Sequence, residues 1–192
     1  MDRWKQFAFC ATAALFLGGC AWVPQTATLK PAPNVSQSTL GNGVTVAVRV
    51  IDTRRSSIIG HRGVDSKNAA IKTEQDIVAL FRQKIVEGLT RKGFAAVVFE
   101  GQPGRSLTVE IRQIDYTTDM DFWKGLIQTE AVISASMIKD GAKFEQVYSG
   151  KRSETTVEAP RAKTNERLIN GAISDALQRL FEDERLLHYL AE

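Results

Sequence analysis

Two long stretches of alternating apolar and polar residues meet at an Asp-Gly pair, and this pattern constrains the fold more than any other. One face of the first stretch carries Thr129, Ala131, Ile133, Ala135 and Met137. The second stretch runs from about Lys143 to Val157, with Phe144, Val147 and Tyr148 as its bulky residues. Alternation is typical of a strand with one buried face, and Asp-Gly favours a two-residue hairpin turn. The sequence therefore predicts a long antiparallel hairpin that turns at Asp140-Gly141.

The remaining periodic segments add strands and helices around this hairpin. Shorter strands are predicted over 44–51, 94–99 and 107–111. A helical stripe of Ile77, Leu80, Phe81, Ile85 and Leu89 predicts one helix, and a second stripe begins after Thr164 and continues into a short apolar tail. This order predicts an α+β two-layer sandwich, with one mainly antiparallel sheet of four to five strands and two helices packed on one face. The polar loop from Asp52 to about Lys72 is long for a compact domain, so we expect it to be disordered or functional.

The first residues are typical of a targeting segment. Arg3 and Lys5 precede an apolar run from Phe7 to Leu17, which is too short to span a bilayer. Leu17-Gly18-Gly19-Cys20 then resembles the lipobox of bacterial lipoproteins, in which the cysteine carries fatty acyl chains such as palmitate and becomes the first residue of the mature chain. An ordinary signal peptide and an uncleaved anchor are the alternatives. Ala21 is compatible with sorting to the outer membrane, facing the periplasm, and retention at the inner membrane is the other outcome.

The predicted organisation is a signal peptide over residues 1–19, a lipidated Cys20 with a flexible tether over 20–43, and a single α+β periplasmic domain over 44–192. Three prolines and many small polar residues indicate the tether. The whole chain has a formal net charge of +3, which falls to +2 without Arg3, Lys5 and Asp2. This balance does not favour nucleic-acid binding. Loss of Cys10 with the signal leaves no free thiol and no disulfide.

Several motifs together resemble the YajG-like family of bacterial lipoproteins. They are Gly43-Val44-Thr45-Val46, Asp52-Thr53-Arg54, Arg91-Lys92-Gly93-Phe94, Leu107-Thr108-Val109-Glu110-Ile111, the Asp140-Gly141 hairpin and the closing helix before His188-Tyr189-Leu190. Their order and spacing carry the resemblance, which runs from the lipobox to the C-terminus. It implies a periplasm-facing outer-membrane lipoprotein without an established activity.

The pattern of reactive side chains does not indicate an enzyme, a metal site or a cofactor. There is no Gly-x-Ser-x-Gly motif, and the two histidines of the chain, His61 and His188, are far apart in sequence. Asp119 and Asp121 lack the further oxygen ligands that calcium needs. A carboxylate pair of a cell-wall enzyme cannot be recognised from sequence separation alone.

The candidate contacts are Arg54, Arg55, Arg62 and Trp123. The arginines suit phosphate or carboxylate groups, such as those of lipid A or peptidoglycan, although Asp52 and Asp65 are available as internal partners. Trp123 is a candidate anchor for a partner, or it covers one end of the sheet. We expect a non-enzymatic interaction or accessory protein of the cell envelope, held to the membrane by its lipid, whose protein, glycan or lipid partner is unknown. The alternative is an accessory subunit for lipid or lipopolysaccharide transport.

Overall fold

A computed structural model describes residues 23–63, 69–101, 105–120, 124–139, 142–157 and 160–192. Cys20, Trp123 and the turn at Asp140-Gly141 lie outside these residues. The strands are β1 (Gln25–Thr26), β2 (Thr45–Asp52), β3 (Gly60–His61), β4 (Ala70–Lys72), β5 (Ala95–Val98), β6 (Ser106–Met120), β7 (Gly125–Lys139) and β8 (Ala142–Thr156). The helices are α1 (Ile77–Arg91), α2 (Ala162–Glu182) and α3 (Glu184–Ala191).

Strand β6 organises the sheet because its two edges pair differently. One edge pairs antiparallel with β7 along its length, and β7 continues into β8. The other edge is shared: its first half pairs parallel with β2, from Ala47↔Ser106 to Asp52↔Ile111, and its second half pairs parallel with β3 at Gly60↔Tyr116. Beyond these, β5 extends β2, while β4 and β1 extend β3. The sheet therefore forks at the middle of β6.

The predicted sheet was wrong in strand number and in strand direction. The described residues form a mixed, strongly curled sheet of eight strands, half of a barrel, with three helices. The parallel pairs β2–β5, β2–β6, β1–β4 and β3–β6 join segments that are far apart in sequence or very short. Two of the extra strands lie within the loop predicted to be disordered or functional, where Ile59 and Ile71 are buried.

The predicted hairpin is present as β7 and β8. Lys139 pairs with Ala142 across the two residues of the predicted turn. Helix α2 packs on β7 and β8, whereas α1 packs on β2 and β5. Asp76 caps α1 by accepting a hydrogen bond from the backbone N–H of Ala79. The apolar stripes of both helices are buried against the sheet and form one continuous core.

The segment before β2 was predicted to be a flexible tether, but from Gln25 onward it is packed against the helices. Alternate positions are buried, namely Gln25, Ala27, Leu29, Pro31 and Val35. The residues between them direct their backbone N–H groups at α2. Thr28, Lys30, Ala32 and Asn34 donate to side chains of Glu166, Asn170, Ser174 and Gln178, respectively.

These four hydrogen bonds form a regular ladder because the spacing of turns along the helix matches the spacing of every second residue along the extended chain. Four residues of helix advance about 6 Å, and two residues of extended chain advance about 6.6 Å. Each helical turn of α2 therefore meets the next available N–H of the segment. Pro31 and Pro33, which have no N–H, fall at the positions that need none.

A buried polar network ties the start of this segment to the core. The side-chain amide of Asn165 donates to Gln25, and the hydroxyl of Tyr116 donates to Asn165 at 2.8 Å in both cases. All three side chains are buried, and burial raises the pKa of the Tyr116 hydroxyl well above its usual value. The network holds together β1, β6 and α2.

Candidate functional site

The segment after β2 is organised by an ion pair between Asp52 and Arg54. The Arg54 Nε and Nη2 groups donate to the two carboxylate oxygens of Asp52 at 2.9 and 2.8 Å. The hydrogen bond from the Arg54 guanidinium holds the pKa of the Asp52 carboxyl below its usual value, against a smaller opposite effect of burial. This bidentate pair fixes the orientation of the guanidinium.

The third nitrogen of the same guanidinium has no partner among the described residues. The Arg54 side chain is only 7% exposed, and its Nη1 atom is buried without a hydrogen bond in the described part of the protein. A buried N–H that donates to nothing is costly, and such groups in native proteins usually meet water or a ligand. Arg54 therefore retains an unused donor after its pairing with Asp52.

Arg54 lines a cavity of about 460 Å³ between the β2–β3 connection and β6. We call this cavity the arginine pocket. Its lining residues are Arg54, Arg55, Ser56, Ile58, Arg112, Gln113, Ile114 and Asp115. Three guanidinium groups and one carboxylate thus line it, but Arg54 is paired with Asp52, and Arg112 with Glu110 and Glu145. Arg55 is the lining guanidinium that remains without an ion pair among the described residues, and it suits an anionic group.

A β-bulge contributes the β6 side of the arginine pocket. The register of β6 against β7 shifts between Ile111 and Gln113, which leaves Arg112 as the extra residue. Arg112 donates to Glu145 at 3.0 Å and lies 3.4 Å from Glu110. Bulges bend a strand and redirect side chains, and they are frequent beside functional sites.

Arg112 was not among the sequence-predicted candidates. The signal was nevertheless present, because the apolar positions of β6 run through Leu107, Val109 and Ile111 and then resume at Ile114 and Tyr116. That one-residue slip in the alternation marks the bulge.

A second, smaller cavity of about 340 Å³ lies along β6, β7 and β8. It shares Gln113 and Asp115 with the arginine pocket. Two of its lining residues, Glu130 and Lys151, form an ion pair at 3.1 Å. The arginine pocket therefore opens onto a strip of hydroxyl, amide and charged side chains.

The structure separates the predicted candidates. Arg54 and Arg55 lie together in the arginine pocket. Arg62 lies elsewhere and donates to the backbone carbonyls of Val23 at 3.4 Å and Pro160 at 3.3 Å. It therefore joins the start of the described chain to the start of α2, and its Nε is buried without a hydrogen bond to any described residue. Cys20 and Trp123 lie outside the described residues.

Neither a cluster of metal-ligating side chains nor a membrane-spanning helix occurs among the described residues. No three His, Cys, Asp or Glu side chains among them come close enough together to hold a metal ion. No helix among them has both the length and the apolar character needed to cross a membrane.

The family comparison identifies the kind of protein. A family model described as "uncharacterized lipoprotein" matches residues 31–191. The chain belongs to this lipoprotein family. The matched range begins inside the packed N-terminal segment and ends in α3. It therefore covers strands β2 to β8 and all three helices. No curated protein matches the sequence.

Several solved structures are distantly similar. A Helicobacter pylori protein, described provisionally as a neuraminyllactose-binding hemagglutinin homolog, is 8% identical at a TM-score of 0.48, covering 84% of this chain and 96% of that one. The hypothetical protein CT253 of Chlamydia trachomatis is 12% identical with a TM-score of 0.40. The match covers 77% of this chain and 98% of that chain. A Caulobacter crescentus protein, described provisionally as a lipoprotein, is 13% identical with a TM-score of 0.34. The match covers 70% of this chain and 91% of that chain. At these scores the likenesses assign neither ligand nor activity to this lipoprotein.

Proposed function

We propose that this lipoprotein is a non-enzymatic accessory protein of the cell envelope that binds an anionic group of a partner in its arginine pocket. The observation that carries the proposal is the exposed Arg55 guanidinium, which lines the cavity beside Arg54 and Arg112 and forms no ion pair with another described residue. Carboxylate and phosphate oxygens are the acceptors that satisfy such a donor best.

The location of the protein is part of this proposal. Acyl chains on Cys20 hold the protein at the outer membrane, and the domain faces the periplasm. Membership of the lipoprotein family supports a membrane anchor, and the lipobox and Ala21 support the finer assignment. The assignment to the YajG-like group likewise rests on the motifs of the sequence.

A binding experiment on the lipidated protein in detergent tests the pocket. Inorganic phosphate and glutarate are titrated separately by calorimetry. We expect saturable binding that weakens as salt is added. Arg55→Gln removes an exposed guanidinium that lines the pocket. It should weaken binding by about tenfold to a hundredfold, since a hydrogen bond to a charged group contributes about 1.5–3 kcal/mol.

The matched control is Arg179→Gln, which removes an exposed arginine from α2, remote from the arginine pocket. This variant should bind as the unaltered protein does. Equal losses in both variants would show a general charge effect, and absence of binding by either probe would refute the anion site. A comparison of the two probes shows whether phosphate or carboxylate is preferred.

Transport of lipid or lipopolysaccharide is the alternative function. The two cavities on the β6 side are lined mainly by polar and charged residues, which does not favour the binding of acyl chains. Binding of a phosphate-bearing lipid in micelles, together with no binding of glutarate, would favour this alternative over the accessory role.

A further inference from the structure

The point at which the chain enters the domain is fixed. The Arg62 guanidinium donates to the carbonyls of Val23 and Pro160. Two residues later, the side chain of Gln25 donates to the carbonyl of Ala162 at 3.0 Å. The residues that follow are held along α2 by the ladder of hydrogen bonds. The first described residue therefore has a defined place beside the start of α2.

This fixed entry limits the distance between the domain and its anchor. Three residues, 20–22, lie between the acylated sulfur of the proposed anchor and Val23. A fully extended chain advances at most about 3.6 Å per residue, so these residues reach about 10 Å. The inference rests on the proposed acylation of Cys20. Given that anchor, the end of the domain that carries Val23 must lie at the lipid headgroups.

Exposed apolar side chains occur at this end. Val23 is 53% exposed, Leu126 is 38% exposed and Val157 is 78% exposed. Val157 directly follows β8, whose residue Thr155 pairs with Leu126, and it lies three residues before Pro160. The three side chains thus surround the point of chain entry.

The other exposed valines are remote. Val98 pairs with Val48, which pairs with Leu107, whereas Leu126 pairs with Asp119 at the opposite end of β6. Twelve residues of β6 separate these two positions, which is roughly 40 Å of strand. Val147, in the middle of β8, is 45% exposed.

The charges at the entry point complement a membrane surface. Lys124, Arg161 and Lys163 are exposed there, and none forms an ion pair with another described residue. Among the described residues, Asp119 lies opposite Leu126 and Glu154 lies opposite Ile127, and Glu154 is already paired with Arg167. A lysine or arginine close to an anionic leaflet contributes about 1 kcal/mol of attraction.

We infer that Val23, Lys124, Leu126, Val157, Arg161 and Lys163 form an anchor-side surface that rests on the bilayer. The valine and leucine side chains contact the interfacial region of the lipid, and the cations contact phosphate headgroups. The domain is consequently held in one orientation, with β5 and the start of β6 farthest from the membrane.

Single cysteines test the orientation, because the thiol of acylated Cys20 does not react and Cys10 leaves with the signal. Val157→Cys and Val147→Cys are labelled with a fluorophore. The lipidated proteins are then placed in vesicles of phosphatidylethanolamine and phosphatidylglycerol that carry a headgroup quencher. We expect several-fold stronger quenching at position 157 than at 147. Val97→Cys, at a residue 44% exposed, should behave like position 147.

Reversal of the charges provides a second test. Lys124→Glu, Arg161→Glu and Lys163→Glu together should reduce quenching at position 157 while the protein still sediments with the vesicles. Equal quenching at positions 157, 147 and 97 in sedimenting protein would overturn the orientation but leave the anchor intact. Failure to sediment, with an unmodified Cys20 in the mass spectrum, would overturn the anchor and the orientation with it.

Discussion

Arg54 is the neighbour that lowers the pKa of the Asp52 carboxyl and so favours its charged form. Arg54 donates two hydrogen bonds to it and lowers its pKa. A carboxyl whose pKa is lowered by folding stabilises the folded state above its unfolded pKa, about 3.9, and this contribution is lost as the pH falls through the folded value. Protonation of Asp52 also releases the guanidinium that lines the arginine pocket.

We therefore expect the carboxyl of Asp52 to titrate below its usual range in the folded protein. In Arg54→Gln the pKa should return towards the ordinary value, because the largest cause of the shift is removed. NMR of the Asp52 side-chain carboxyl across acidic pH measures the pKa in the unaltered protein and in the variant. An unchanged pKa in the variant would contradict the ion pair.

Gly150 is required by the close approach of β8 to α2. A Cβ atom at this position would lie 2.0 Å from the carbonyl oxygen of Ala172 and 2.6 Å from the backbone nitrogen of Ala176. Backbone atoms in the middle of a helix cannot move aside cheaply. Helix and strand must therefore separate to accept a methyl group.

Gly150→Ala should lower the free energy of unfolding by about 1–3 kcal/mol, the usual cost of overpacking. Gly171→Ala, on α2, is the matched control. Its Cβ would approach the flexible Arg152 side chain at 3.1 Å, and alanine is favoured over glycine in a helix by about 1 kcal/mol. Urea unfolding of both variants measures the difference. Equal destabilisation would argue against the close packing of β8 on α2.

At the scale of elements, the N-terminal segment behaves as an additional layer of the domain. It runs along α2 as an extended chain, and Ser38 and Gly41 then donate to backbone carbonyls at the end of α1. Its contacts with α2 are mainly hydrogen bonds from backbone to side chain. The segment is therefore held by polar side chains of α2 as well as by its own buried positions.

Amide hydrogen exchange should reveal this layer. We expect slow exchange at Lys30 and Ala32, whose N–H groups bond to Asn170 and Ser174. Asn170→Ala should accelerate exchange at Lys30 and leave β7 unchanged, whereas Arg179→Ala should alter neither. Rapid exchange at Lys30 and Ala32 in the unaltered protein would indicate a flexible tether after all.

Elements with a strong local pattern could be predicted from the sequence. The β7–β8 hairpin and the apolar stripes of α1 and α2 follow from periodicity and turn chemistry. Strands β1, β3 and β4 have two or three residues each, which is too few for a period to be visible. The alternation from Gln25 to Val35 was obscured by its prolines, which indicated a tether.

The candidate site was only partly predictable for the same reason. Arg54 and Arg55 are adjacent in sequence, and their grouping needed no tertiary information. Arg112 joins them only because β2 and β6 pair in parallel, and parallel pairing depends on contacts between distant segments. The unpaired Nη1 of Arg54 is a property of packing and has no signature in the sequence.

For the whole molecule, the hydrogen bonds of the N-terminal segment have a consequence for the order of assembly. Those with α2 join residues 137–144 positions apart, so the earliest part of the chain to be synthesised binds one of the last. Closing so long a loop comes late, because local pairs form first. Until α2 is complete, the side chains that accept hydrogen bonds from residues 28–34 are not in place. Given the proposed acylation of Cys20, the segment from Gln25 onward would still be undocked when the acylating enzymes act, and its later docking on α2 would fix the position of the domain relative to the anchor.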